Sequence, residues 1–218
     1  MRTSPLAACL LLLSAAASTT ASAAWTGISA FAGEQRQDWS FGTTSRRAES
    51  FTWGLSIEER TRAGLRIGLA GGRFSLDLRN NAPGPFDEFA GEFLQFYLRW
   101  PVALGDHLTL HGRFDYRVNH GDHELTTSEE EIEWTERSLT LGLALRYGML
   151  SLQPFVKLLS SDGDLDDLAS GIGQPFDSDS RQSHGLIIDL HVEKTAYVRL
   201  LSEFSDIESL QVHFVRAF

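Results

Sequence analysis

Three things are scarce in this sequence. Cysteine occurs once in 218 residues, as Cys9. Positive charge is short: 19 lysines and arginines stand against 29 aspartates and glutamates, a formal net charge of −10. No basic stripe is available for phosphate neutralisation, which argues against a nucleic-acid binder. Past the first two dozen residues no apolar run approaches the roughly 18 residues that a transmembrane helix needs. With a mean hydropathy of −0.15, composition alone describes an acidic globular chain of one domain or a small pair.

What is present changes that picture. Residues 1–24 read MRTSPLAACLLLLSAAASTTASAA. One positive residue, Arg2, precedes an apolar stretch over 6–17, and a small-residue tract ends in Ala21-Ser22-Ala23. This is the order of a secretory signal peptide, read here as residues 1–23, with residues 24–218 as the exported domain. The apolar stretch is too short to span a bilayer as an anchor. Leu6-Ala7-Ala8-Cys9 has the look of a lipoprotein box, but the leucines at 10–13 follow the cysteine, where a lipoprotein has a polar start. Removing the segment removes the only thiol, so the exported chain is expected to carry no disulfide despite an oxidising route. Arg2 leaves as well, which makes the charge −11.

The exported chain alternates apolar and polar residues in stretches of about ten. In 108–118, Leu108, Leu110, Gly112, Phe114, Tyr116 and Val118 share one face, while Thr109, His111, Arg113, Asp115 and Arg117 share the other. Phe51, Trp53, Leu55 and Ile57 alternate likewise with Thr52, Gly54, Ser56 and Glu58. Ten strands are expected, near 25–36, 48–59, 63–78, 88–100, 107–119, 133–147, 150–161, 182–193, 196–204 and 209–218, with Gly71-Gly72 marking a bulge in the third. Connections near 59–63, 101–106, 148–149 and 194–195 are short. Those near 37–47, 79–87, 120–132 and 162–181 are long and polar. Such alternation of short and long connections is expected of a transmembrane β-barrel.

A soluble sandwich or ligand-binding barrel also alternates, with the apolar face turned to its core. Here the apolar faces are nearly free of charge in mid-strand, Arg73 and Arg216 being the exceptions near strand ends. Aromatic residues gather towards strand ends: Trp25, Trp100, Tyr147 and Phe218 on one side, Trp53, Phe114 and Tyr116 towards the other. That is the arrangement of two interfacial girdles. The last strand, 210–218, ends in Phe218 and places Leu210, Val212 and Phe214 in phase with it, while Arg216 interrupts the apolar series. With the signal peptide and the cysteine-free exported chain, this pattern resembles the small Gram-negative outer-membrane barrels of the OmpA/OmpX type. The fold expected is therefore all-β, a transmembrane antiparallel up-and-down β-barrel of ten strands, with eight as the other count. The resemblance implies an outer-membrane location and contact with membrane lipids and lipopolysaccharide. It also implies handling by periplasmic chaperones and by the barrel-assembly machinery, with Leu210, Val212, Phe214 and Phe218 as the assembly signal.

On that fold the polar faces turn inward. A lumen network is expected from Glu58, Arg66, Arg99, His111, Arg113, Asp115, Arg117, Arg146, Lys157, Asp189, His191, Glu193, Arg199, Glu203 and His213, paired because an unpaired charge in a confined space is costly. Glu58 and Arg66 flank one tight turn with the same facing, which predicts a cross-strand pair. The reading is a charge-plugged structural or surface-interaction protein, with a narrow passive pore for small solutes as the alternative. A barrel-embedded hydrolase acting on lipid or peptide is a further alternative, for which Ser183-His184 and His120, Asp122 and His123 are the candidates. Neighbouring strand residues face opposite sides, so Ser183 and His184 make a poor dyad, and no catalytic set, cofactor or firm metal site is expected. Two acidic loops remain, Glu129-Glu130-Glu131 with Glu133, and 162–167. In the latter, Asp162, Asp164 and Asp166 have the spacing of a calcium loop without its glycine or its terminal glutamate. A solvated acidic surface is the plainer reading of both.

Overall fold

The computed structural model describes residues 25–80, 87–124, 129–167 and 171–218. The signal peptide and the lipoprotein-like box lie outside them. Ten strands follow in chain order: β1 (Trp25–Phe41), β2 (Thr44–Arg60), β3 (Arg66–Asn80), β4 (Asp87–Ala103), β5 (Leu108–Glu124), β6 (Glu129–Tyr147), β7 (Leu150–Asp167), β8 (Ile172–His191), β9 (Ala196–Ser205) and β10 (Ile207–Ala217). Each pairs antiparallel with its sequence neighbours, and β10 closes on β1 to complete the barrel.

Alternation decides the facing of every strand. On β2, Phe51, Trp53, Leu55 and Ile57 are 40–64% exposed, while Thr52, Gly54 and Glu58 between them are buried. The same outward belt continues through Leu94 on β4, Leu139, Leu141 and Leu145 on β6, Val156 and Leu158 on β7, and Leu210 and Phe214 on β10. A continuous apolar belt on the outside of a closed sheet is stable only in lipid, where the closed barrel leaves no open backbone edge. Leu141 stands in the middle of this belt. Leu141→Arg is expected to cost about 2–4 kcal/mol, read by urea unfolding in lipid vesicles; unchanged stability there would remove lipid from the outer face.

The strands are taller than the sequence pattern suggests. A tilted membrane strand needs roughly 9–11 residues, which β9 and β10 match with 10 and 11. The first eight strands have 15–20 residues and stand above that band. Among the described residues, the connections expected near 37–47, 120–132 and 162–181 to be long polar loops are thus mostly strand, while most of the one near 79–87 lies outside them. β1 and β2 are joined by Gly42-Thr43 alone, with Gly42 at a φ of 59° that a left-handed turn requires. Residues 162–167 and Glu130, Glu131 and Glu133 lie on strands β7 and β6 rather than in loops.

β3 contains no bulge at Gly71-Gly72. Its ladder with β2 runs unbroken through Leu55↔Gly71 and Gly54↔Gly72. Gly72 is explained by close approach instead, because a Cβ there would collide with the Trp53 carbonyl, whereas one on Gly71 would meet only ordinary contacts. The irregularity falls between β7 and β8, where the register shifts between Leu159 and Ser161. Above the short β9–β10 hairpin, β1 meets β8 directly at Ser40↔Asp177. The barrel therefore has ten strands in the apolar belt and continues on eight above it.

Candidate functional site

The interior has two storeys of opposite character. On β3, apolar residues switch from the outer to the inner face without any register change. Ile67 is exposed to the outside, whereas Phe74, Leu76 and Leu78 are buried inside at 3%, 1% and 0% exposure. β1 contributes Trp39 and Phe41 to this upper interior, β4 Phe89 and Phe93, β6 Ile132 and Trp134, and β8 Phe176. Trp39 stacks on Phe176 at 4.5 Å between ring centroids and meets Trp134 edge-on at 5.3 Å; Phe74 meets Trp134 at 4.9 Å. Where the wall leaves the lipid its outer face becomes polar, carrying Arg47, Glu49, Arg73 and Arg79 on β2 and β3, and the apolar residues turn in. The upper barrel is thus organised like a water-soluble one, and its core roofs the lumen.

Below this roof the interior is charged. Arg66 Nη1 donates to Glu58 Oε1 at 3.2 Å, and Arg99 Nη1 stands 3.8 Å from the other Glu58 oxygen. Arg113 holds Asp115 with three contacts of 2.6–2.9 Å, and Gln95 and Ser138 donate to the same carboxylate. Arg199 grips Asp189 at 2.7 and 2.8 Å. Lys157 Nζ donates to Glu203 at 3.0 and 3.3 Å, with Ser209 Oγ adding a third bond. Arg117 is held by neutral groups, donating to Asn119 Oδ1 at 2.6 Å and lying 4.0 Å over the Phe93 ring. It thereby joins the charged storey to the roof. Charge-assisted and bidentate bonds of this kind are the strong ones, and they fix the strands around them. Between them a cavity of about 150 Å³ remains.

Not every residue expected in this network belongs to it. Glu193 lies exposed in the turn between β8 and β9, because the strand ends two residues earlier at His191. Arg146 is exposed at the lower mouth, and His191 sits there beside the Tyr197 ring at 5.2 Å. His111 lines the cavity, and His213 stacks on Phe31 at 5.2 Å. The alternation of the lipid-spanning band does not point to the roof residues. Their signal was the change of parity on β3, from odd-numbered Ile67 and Leu69 to even-numbered Phe74, Leu76 and Leu78. A parity change marks either a bulge or an inversion of the surroundings, and here the ladder shows the second.

The catalytic candidates are scattered. Ser183 is fully buried on the inner face, while His184 points out against Phe204. His123 packs inside on Phe89. His120 is on the outer wall, where its Nδ1 lies 3.3 Å from Glu131 and 3.1 Å from Glu133 across the ladder. Asp162, Asp164 and Asp166 stand in line on the outside of β7, about 7 Å apart on an extended strand. They do not converge as a calcium loop does. Asp162 accepts from Thr135 at 3.2 Å and faces Arg137 at 3.5 Å instead. With Asp122, Glu131 and Glu133 they give one side of the upper wall a strongly acidic face. The other side is balanced, with Glu49 shared among Arg36, Arg47 and Arg79. At the inner rim, burial and the neighbouring Asp87 carboxylate raise the Glu130 carboxyl above its ordinary range.

No family model and no curated protein matches the sequence. Among solved structures, the outer membrane protease OmpT from Escherichia coli is similar at a TM-score of 0.51 and 11% identity, over 92% of this chain and 98% of that one. Neisserial surface protein A is similar at 0.48 and 10% identity, over 88% and 97%. The attachment invasion locus protein Ail of Yersinia pestis is similar at 0.44 and 11% identity, over 89% and 98%. At such identities the likeness concerns the fold alone, a closed antiparallel β-barrel.

Proposed function

We propose that this chain is a non-conducting outer-membrane barrel that acts through the wall it raises above the lipid, in a structural or surface-interaction role. The observation that carries this reading is the roof. Trp39, Phe74, Trp134 and Phe176 fill the upper barrel from wall to wall, and the ion pairs beneath them brace the lumen from strand to strand. A channel needs a continuous wet path, and a packed apolar core above a charged storey offers none. The acidic face formed by β5, β6 and β7 suits a surface role: at headgroup height, divalent cations would bridge it to lipopolysaccharide phosphates. The C-terminal Leu210, Val212, Phe214 and Phe218 fit the role of an assembly signal read before the barrel closes.

Planar-bilayer recording tests the reading. The purified barrel is expected to give no reproducible single-channel steps at moderate voltage. Steps of constant size that vary with the permeant ion would establish the narrow passive pore in its place.

A further inference from the structure

Three arginines lie side by side at the lower end of the lumen. Arg66 on β3 is directly opposite Arg99 on β4, and Arg99 is directly opposite Arg113 on β5. Like charges in facing positions repel, and the repulsion grows as water is removed. Arg113 is neutralised by Asp115, and Glu58 is engaged by Arg66 at 3.2 Å. Arg99 has the same Glu58 at 3.8 Å and makes no other ion pair among the described residues. It is nevertheless only 9% exposed. Its guanidinium lines the cavity, as does His111, whose Nδ1 is buried without a hydrogen-bond partner. Two carboxylates, Glu58 and Asp115, thus serve three arginines, and Asp189, which also faces Arg99 and His111, is held by Arg199 at 2.7 and 2.8 Å.

We propose that the lower lumen is a binding site for a small oxyanion of the phosphate or sulfate class, held by Arg99 with His111 and flanked by Arg66 and Arg113. The planar guanidinium fork matches an oxyanion edge with two parallel hydrogen bonds. The cavity of about 150 Å³ runs along the lumen from Arg99 and His111 up to Gln35 and Arg117, and its lower end opens on these side chains. Access is from below, since Arg66 is the first residue of β3 and the aromatic roof blocks the other end. This inference goes beyond the surface role proposed above and does not depend on it: a roofed barrel can bind an anion at its open end, and so can a conducting one.

The test uses inorganic phosphate on the full folded barrel in detergent at constant ionic strength, with chloride as the reference salt. Saturable broadening of the phosphate phosphorus resonance is expected, together with a rise in the unfolding midpoint, both displaced by sulfate. Arg99→Gln is expected to weaken binding about tenfold or more, the loss of one charged hydrogen-bonding partner. Glu58→Gln removes the competing carboxylate and should tighten it. Arg137→Gln, on the outer wall, should leave it unchanged. If Arg99→Gln does not fold, sulfate competition on the unaltered chain still decides. Broadening absent, matched by chloride, or undiminished in Arg99→Gln would overturn the site. So would binding of a short-chain phosphatidylglycerol without binding of the free ion, which would place the interaction at the lipid rim.

Discussion

Trp39→Ala should destabilise the barrel by about 3–5 kcal/mol, the cost of emptying a large aromatic site in a packed core. Trp39 is 1% exposed and in ring contact with Phe176 and Trp134, so its neighbours cannot close the gap without leaving each other. The informative comparison is Trp53→Ala. Trp53 is also a strand tryptophan, but it is 52% exposed on the outer face. Its removal exchanges one lipid contact for another and leaves no cavity. Urea unfolding in vesicles, followed by the remaining tryptophan fluorescence, should rank Trp39→Ala well below Trp53→Ala. Equal losses would mean that the upper interior is loosely filled and that the roof is no core.

The second large effect is at Glu58. This carboxylate is 7% exposed and faces both Arg66 and Arg99. Removing one partner of a buried ion pair leaves the other charge uncompensated, at about 3–5 kcal/mol. Glu58→Ala should therefore be among the most damaging single changes in the lumen. Adding Arg66→Gln to Glu58→Ala should recover part of the loss, because it removes the cation that Glu58 balanced. A double-mutant cycle by urea unfolding measures this coupling. Additive losses would show that the two groups do not interact through the 3.2 Å contact.

The contrast between these two residues explains what could be read from the sequence. Glu58 was legible because it lies in the lipid-spanning band, where a strand has one rule: apolar residues out, polar residues in. Phe51, Trp53, Leu55 and Ile57 announce the outer face, and Glu58 follows by parity. The pair with Arg66 follows from the tight turn between β2 and β3. Trp39 was not legible by that rule, since it belongs to the part of β1 above the band. There the outside is water and the rule reverses, so Trp39 and Phe41 go in while Arg36 and Asp38 go out. A run such as Phe74-Ser75-Leu76-Asp77-Leu78 has the same alternation under either rule, and only the ladder's unbroken register tells which applies. The same reversal hid the upper strands, whose outward faces are as polar as loops. Glu193 failed for a simpler reason: alternation persists into the β8–β9 turn by chance, and strand ends are where such patterns are weakest.

The central claim, a wall that is apolar-out in lipid and apolar-in above it, is tested most directly by spin labels along β3. With Cys9 replaced by serine, single cysteines at Ile67, Leu69, Ser75, Leu76, Asp77 and Leu78 can carry nitroxides in the folded, reconstituted barrel. Labels at 67 and 69 should collide freely with oxygen, which partitions into lipid. Labels at 75 and 77 should collide with a water-soluble nickel chelate, and labels at 76 and 78 with neither. Oxygen accessibility at 76 and 78, or chelate accessibility at 67 and 69, would contradict the account.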